Sequence, residues 1–180
     1  DEYSNTAATF LFNGAGYASV SMSHSIVGEL NSRVSQKIFN KLLVGYTHVY
    51  DGRSADVQLP FVQITKMRDG ENTSVSIGTD AFAGANALTQ NAVTITDNLS
   101  IYAGNHTVTV GTHNEIFVAD NLYVANILGT YTYNTLEDFL KDNARKYVRN
   151  YPIGDATLRF STAQFGFYAQ DEWRVDKFSL

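Results

Sequence analysis

Between Ala163 and Glu172 the chain alternates: Ala163, Phe165, Phe167 and Ala169 occupy one set of positions, and Gln164, Gly166, Gln170 and Glu172 the other. Successive side chains of a strand point to opposite faces. One face of this stretch therefore suits lipid and the other water. No segment approaches the roughly 18 consecutive apolar residues of a transmembrane helix. A β-barrel leaves no such run, because only every second residue of its strands meets lipid.

The same alternation recurs upstream. From Tyr17 to Ile26, Ala18, Val20, Met22 and Ile26 oppose Tyr17, Ser19, Ser21, Ser23 and Ser25, with His24 an exception on the apolar side. Asn13-Gly14 precedes this strand as a turn signal, and Gly28 to Ser35 reads as a short polar connector. A second strand runs from Ile38 to Val49, with Leu42, Val44 and Tyr46 against Leu43, Gly45 and Thr47, and ends at the turn dipeptide Asp51-Gly52. A third, Ala92 to Tyr102, sets Val93, Ile95, Leu99 and Ile101, interrupted by Asp97, against Thr94, Thr96, Asn98 and Ser100. After a tight turn at Ala103 to His106, a fourth strand from Thr107 to Asn121 sets Val108, Val110, Ile116 and Val118 against Thr109, Gly111, His113 and Glu115. The fifth spans Arg159 to Trp173; Val175 to Phe178 reads as a brief turn, and Ser179-Leu180 as the start of a sixth strand.

The connections alternate short, long, short, long, short. The long ones are Arg53 to Gln90, which lacks sustained periodicity and would be odd inside a compact soluble domain, and Tyr123 to Leu158. A barrel inserted in one direction has short periplasmic turns and long external loops. In the first loop, Val57 to Met67 and Thr73 to Ile77 flank Asp69-Gly70 and form a candidate hairpin. In the second, Thr135 can cap a short helix with Glu137 and Asp138 in its first turn and Leu136, Phe139 and Leu140 as its apolar stripe. Tyr17, Tyr46, Tyr102 and Trp173, near strand ends, suit an interfacial girdle, although core packing explains any one of them equally well.

Composition supports an all-β chain, with 11 Tyr, 11 Phe, abundant Thr, Ser and Val, and 2 Pro. The net charge of -5 and the absence of a basic stripe argue against a nucleic-acid partner, which would require Lys and Arg against phosphates. Without Cys there is no disulfide, thiolate nucleophile or Cys-ligated metal. Asp1 opens a polar segment without a leader, so the chain reads as mature or as cut from something larger.

Several phrases go beyond pattern. QFGFYAQDEW (from Gln164), KLLVGYTHVYDGRS (from Lys41), NHTVTVGTHNEIF (from Asn105) and GTYTYNTLEDFL (from Gly129) resemble barrel strands and loop segments of TonB-dependent outer-membrane receptors of Gram-negative bacteria, in the branch that looks like the Oar protein. IGTDAFAGANALTQN, from Ile77, resembles the segment by which such receptors return to the membrane. The resemblance covers most of the chain from Lys41 onward. It implies an antiparallel transmembrane β-barrel segment: an incomplete barrel of about five to six strands, with two long external loops and one short helix in a loop. Closed barrels have an even strand number with about 8 as the minimum, and an open sheet in lipid leaves unpaired backbone groups at several kcal/mol each. Residues 1–180 would then be part of a receptor barrel whose other strands lie elsewhere.

The resemblance also implies partners: outer-membrane lipid and lipopolysaccharide, the remainder of the barrel and its plug, and the TonB complex. The plug domain and TonB box, N-terminal to the barrel in such receptors, are not among these residues, and without them the segment would not couple transport to energy. His113, Glu115, Gln164, Gln170 and Glu172 are the expected lumen-facing residues of a substrate route.

The chemistry of the remaining side chains is plain. His24, His48, His106 and His113 show no metal-ligand spacing; His113 and Glu115 share a face and could meet a ligand, but they also read as two polar lumen residues among many. Lys141, Arg145, Lys146 and Arg149 form the most basic local cluster, either an attraction for anions at the cell surface or a solvated face after a helix. Asn72, Asn98 and Asn105 match glycosylation sequons, which carry no meaning in a bacterial protein. No catalytic constellation, metal site or cofactor motif is present, so an enzyme is not expected. The rival to a receptor segment is a soluble β-sandwich serving as an adhesin or carbohydrate-binding module, favoured by the chain length and opposed by the loop alternation.

Overall fold

The computed structural model describes residues 8–12, 16–55, 57–67, 73–175 and 178–179. In chain order the elements are β1 (Ala8–Leu11), β2 (Ala18–Arg33), β3 (Ile38–Ser54), β4 (Phe61–Lys66), β5 (Thr73–Ile77), β6 (Asn86–Ala103), β7 (His106–Tyr123), β8 (Thr130–Thr135), α1 (Leu136–Leu140), β9 (Lys146–Val148), β10 (Thr157–Val175) and β11 (Phe178–Ser179). Two sheets result, one ordered β11-β10-β7-β6-β3-β2 and the other β1-β5-β4-β8-β9. The chain divides into two compact units: residues 1–21, 51–88 and 121–158 form the first, and residues 22–50, 89–120 and 159–180 the second.

The second unit holds the long strands. Side-chain contacts fix their directions. Lys41 meets Glu29 at 3.1 Å while Ser25 meets Thr47, so β2 and β3 run antiparallel. Asn40 reaches Asp97 while Tyr46 reaches Asn91, which does the same for β3 and β6. Ser100 with Thr109 and Thr96 with His113 reverse β6 against β7. His106 with Asp171 and Asp120 with Arg159 reverse β7 against β10. β11 folds back antiparallel on β10, pairing Phe178 with Val175. This is the antiparallel, open array expected of a barrel segment.

Strand boundaries differ from the sequence reading where a polar residue was taken for a turn. Gly28 to Ser35 is strand as far as Arg33, because Glu29 is held by Lys41; the turn proper is Val34 to Lys37, closed by Val34 N–H donating to Ile38 O at 3.0 Å. Asp51-Gly52 does not end β3, which continues to Ser54. Tyr46 consequently lies inside β3 rather than at an end, whereas Tyr102 and Trp173 do sit near strand ends. The hairpin at Gly104 is as expected, with φ +65 at that glycine; Tyr102 N–H, just before it, donates to Lys37 O in the β2–β3 turn at 2.9 Å. Asn13-Gly14, Asp69-Gly70, Asn72 and Leu180, and most of the turn expected after Val175, lie outside the described residues.

Within this unit the apolar side chains are not buried. Ile26 is 70% exposed, Leu30 58%, Phe165 67% and Phe167 83%. Only Gly45 and Ala119 are fully buried among its described residues. A soluble sheet covers such a face with a second layer, and monomers rarely leave one bare. Exposure of one whole apolar face is what lipid requires.

The first unit holds a conventional core. Ile64 is 2% and Val75 5% exposed, and Ala83, Ala85 and Tyr133 are buried with them. β4 and β5 form the expected hairpin, with Val62 opposite Ile77 and Ile64 opposite Val75. The sheet is mixed: β8 adds parallel to β4, placing Tyr131 by Val62 and Tyr133 by Ile64, and β9 adds antiparallel to β8. The two long loops are thus not irregular but share one sheet, and Val124 N–H donating to Ala85 O at 2.9 Å and Asn126 N–H to Ala81 O at 2.7 Å tie them further. Thr135 caps α1 through Asp138 N–H at 3.1 Å, as its sequence required. The expected apolar stripe is shorter than predicted, because Phe139 packs edge-on against Tyr133 at 5.3 Å while Leu140 points to solvent.

Candidate functional site: the polar face of the long strands

The polar positions of neighbouring strands meet on one face. Ser100 and Thr109 are 3.2 Å apart, Thr96 Oγ1 lies 2.7 Å from His113 Nδ1, and Tyr168 donates its phenol O–H to Asn98. Gly111 lies under that last pair: a Cβ there would meet Tyr168 Cζ at 2.6 Å, so glycine makes room for the ring. Gly45 is covered by Thr94 on the same face. Hydroxyls and amides thus run laterally across β6, β7 and β10, the composition of a water-lined wall.

The predicted lumen residues fall on this face by strand parity. His113 is exposed and bonded to Thr96, and a Cβ at Gly166 would lie 3.2 Å from the His113 carbonyl oxygen. With β7 and β10 antiparallel, that level places Glu115 beside Gln164. Gln170 is exposed, and Glu172 accepts from Arg174 Nε at 2.9 Å. The five are spread along two strands and do not converge on one point. Among the described residues, no group of three or more His, Asp or Glu is placed to hold a metal ion.

The basic cluster does not form a single patch either. Lys141 pairs with Glu137 one helical turn back, which holds its ammonium above the usual range. Arg145 reaches Asn134 Oδ1 at 3.4 Å, Lys146 lies in β9, and Arg149 donates to Ile127 O at 3.1 Å while lying over the Tyr151 ring. Lys141, Arg145 and Arg149 are thus engaged locally, and α1 itself has no basic residue in its last turn.

Sequence reading missed a hollow in the first unit. Ser19 and Ser21 of β2, Asp51 and Arg53 of β3, Asn86 and Leu88 of β6 and Asn121 of β7 converge, with Val20 and Gly52, around about 330 Å³. The signal was present: except for Val20 and Gly52, these residues keep the parity of the polar face on each strand. It was hidden by reading Asp51-Gly52 as a turn and Asn86 as loop.

An open antiparallel array with one exposed apolar face, one hydrogen-bonded polar face, short turns at one set of strand ends and long structured loops at the other defines a wall segment of an outer-membrane β-barrel. Accordingly, the chain belongs to the outer membrane beta barrel domain family, whose model matches residues 1–177. Its place is the bacterial outer membrane, and its surroundings include membrane lipid. No curated protein and no solved structure matches it. A soluble β-sandwich is set aside by this membership and by the uncovered apolar face.

Proposed function

We propose that residues 1–180 are part of the barrel of a TonB-dependent receptor of the Oar-like kind, which takes up a nutrient of the siderophore, glycan or peptide class across the outer membrane. The observation that carries this reading is the pairing of a polar, glycine-relieved lining over β6, β7 and β10 with loops long enough to supply four strands, β4, β5, β8 and β9, of a second, five-stranded sheet. A wall whose loops fold into a separate cored unit presents recognition surface as well as a passage. The resemblance of the four sequence phrases to such receptors points the same way.

In this reading the apolar face meets lipid and lipopolysaccharide, the polar face with His113, Glu115, Gln164, Gln170 and Glu172 lines the route, and the plug and TonB complex act from outside this chain. The chain contributes no catalytic step and needs no cofactor. Uptake by cells expressing the whole receptor tests it. Transport of the nutrient should stop when a protonophore collapses the inner-membrane gradient, while binding persists. Uptake that continues unchanged in the presence of the protonophore would make the protein a passive pore and defeat the TonB-coupled reading.

A further inference from the structure

The hollow formed by Ser19, Asp51, Arg53, Asn86, Leu88 and Asn121 has a chemistry of its own. We propose that it is a binding subsite for a neutral saccharide. This rests on the uptake reading above, whose substrate class it names.

Charge comes first. The Arg53 guanidinium lies 4.4 Å from the centroid of the Tyr17 ring and 4.0 Å from Asp80 Oδ1. Its charge is therefore already engaged by a π-face and a carboxylate. Asp51 adds a second carboxylate to the lining. Two carboxylates against one guanidinium leave no surplus positive charge, so a phosphate, sulfate or acidic sugar gains nothing here and meets Asp51 as a like charge.

Hydrogen-bonding capacity comes second. Asp51 offers acceptors only, Arg53 donors only, and the amides of Asn86 and Asn121 and the hydroxyls of Ser19 and Ser21 offer both. Asp51 and Asn121 make no side-chain hydrogen bond to any described residue, so their valences face the hollow open, whereas Asn86 spends one amide hydrogen on Phe82 O at 3.1 Å. A sugar hydroxyl donates and accepts at once, and adjacent hydroxyls match the paired oxygens of a carboxylate or the paired N–H groups of a guanidinium. The mixture suits a polyol better than a peptide, whose side chains would look for apolar recesses. Among the described residues, Val20 and Leu88 supply the apolar side chains of the lining, enough for the C–H face of one ring.

Size comes third. About 330 Å³ is at the small end of the range of about 300–1,000 Å³ for ligand pockets. That is room for a terminal sugar or a short segment of a chain and not for a folded partner.

The test uses the whole receptor containing this chain, purified in detergent, on parallel arrays of immobilised neutral oligosaccharides and of tripeptides. Retention is expected on a subset of the saccharides, reduced at least tenfold in Asp51→Asn and in Asn121→Ala, with heat-modifiable migration unchanged in both. Asp51→Asn keeps the shape of the side chain, so a lost signal is not a lost fold. Retention on tripeptides alone, no retention on any saccharide, or saccharide retention indifferent to both substitutions would each overturn the proposal. The array needs no energised membrane. A receptor that retains saccharide but shows protonophore-insensitive uptake would refute the coupled-transport reading and leave the subsite standing.

Discussion

The phenol of Tyr133 donates to the carboxylate of Asp142 across 3.1 Å, joining β8 to the residue two positions beyond α1. Asp142 reaches that position with φ +53, a backbone region that Asp tolerates better than most side chains. Tyr133 is at the same time 4% exposed, with Phe139 edge-on against its ring. The helix is short, and this contact and the Thr135 cap hold it to the loop sheet.

A pH dependence follows. Burial, and then the hydrogen bond and negative charge of Asp142, raise the Tyr133 pKa above its ordinary value. A phenol whose folded pKa is raised contributes stability that is fully present below the unfolded value of about 10. That contribution is lost as pH rises through the folded value. Limited proteolysis of the second loop should therefore accelerate above about pH 10. Tyr133→Phe should abolish this alkaline phase, while costing about 1.5–3 kcal/mol at neutral pH for a bond to a charged acceptor. An identical alkaline profile in the variant would show that another group controls it.

Two glycines with left-handed backbones separate strain from crowding. Gly78 has φ +84, and a Cβ there would collide with the carbonyl oxygen of Pro60, a backbone atom that cannot swing aside. Gly104 has φ +65 with open space around it. Gly104→Ala should cost only the backbone term of about 1–2 kcal/mol. Gly78→Ala should cost more and open the β4–β5 hairpin. Protease protection of residues 57–67 in the whole receptor checks this: equal protection in the two variants would mean that the Pro60 contact is of no consequence.

The two faces of β10 make opposite predictions. Phe167, 83% exposed on the apolar side, should tolerate Leu but not Arg, which costs about 2–4 kcal/mol near the bilayer midplane. Gln170→Leu on the polar side should leave assembly nearly intact and alter uptake. Heat-modifiable migration in outer-membrane fractions reads the first effect and nutrient uptake the second. Failure of Gln170→Leu to assemble, with Phe167→Arg assembling normally, would invert the assignment of faces.

How much of this was legible depended on whether periodicity was local. Alternation in Ala163 to Glu172, or Thr94 to Ser100 against Thr107 to Gly111, needs no knowledge of distant residues, and these strands and their faces followed from sequence. The mixed loop sheet was not legible beyond its β4–β5 hairpin: β8 is too short to show a period, and its partner β4 is separated from it by the whole of β6 and β7, so that parallel pairing leaves no local trace. The residues of the hollow were visible individually but not as a group. They come from strand ends whose turn-like dipeptides conceal continued pairing, as with Asp51-Gly52, and only the extension of β3 to Ser54 brings Arg53 into line.

Asn40 and Asp97 form a polar pair on the apolar side whose energetics can be separated. Asn40 Nδ2 donates to Asp97 Oδ1 at 2.6 Å and to Asn98 O at 3.3 Å, with both side chains partly buried. By parity these residues share the face of Leu42, Val44, Ile95 and Leu99, where a carboxylate without a donor is costly. Asn40→Leu should destabilise the barrel by about 1–3 kcal/mol, since the carboxylate loses its donor while staying in place. Adding Asp97→Leu should recover most of that loss, because a face exposed to lipid favours two apolar side chains over a polar pair. Urea titration of the whole receptor in lipid vesicles gives the four corners of the cycle. If the double variant is no more stable than Asn40→Leu alone, the pair does not face lipid, and a polar neighbour meets the sheet at Asp97.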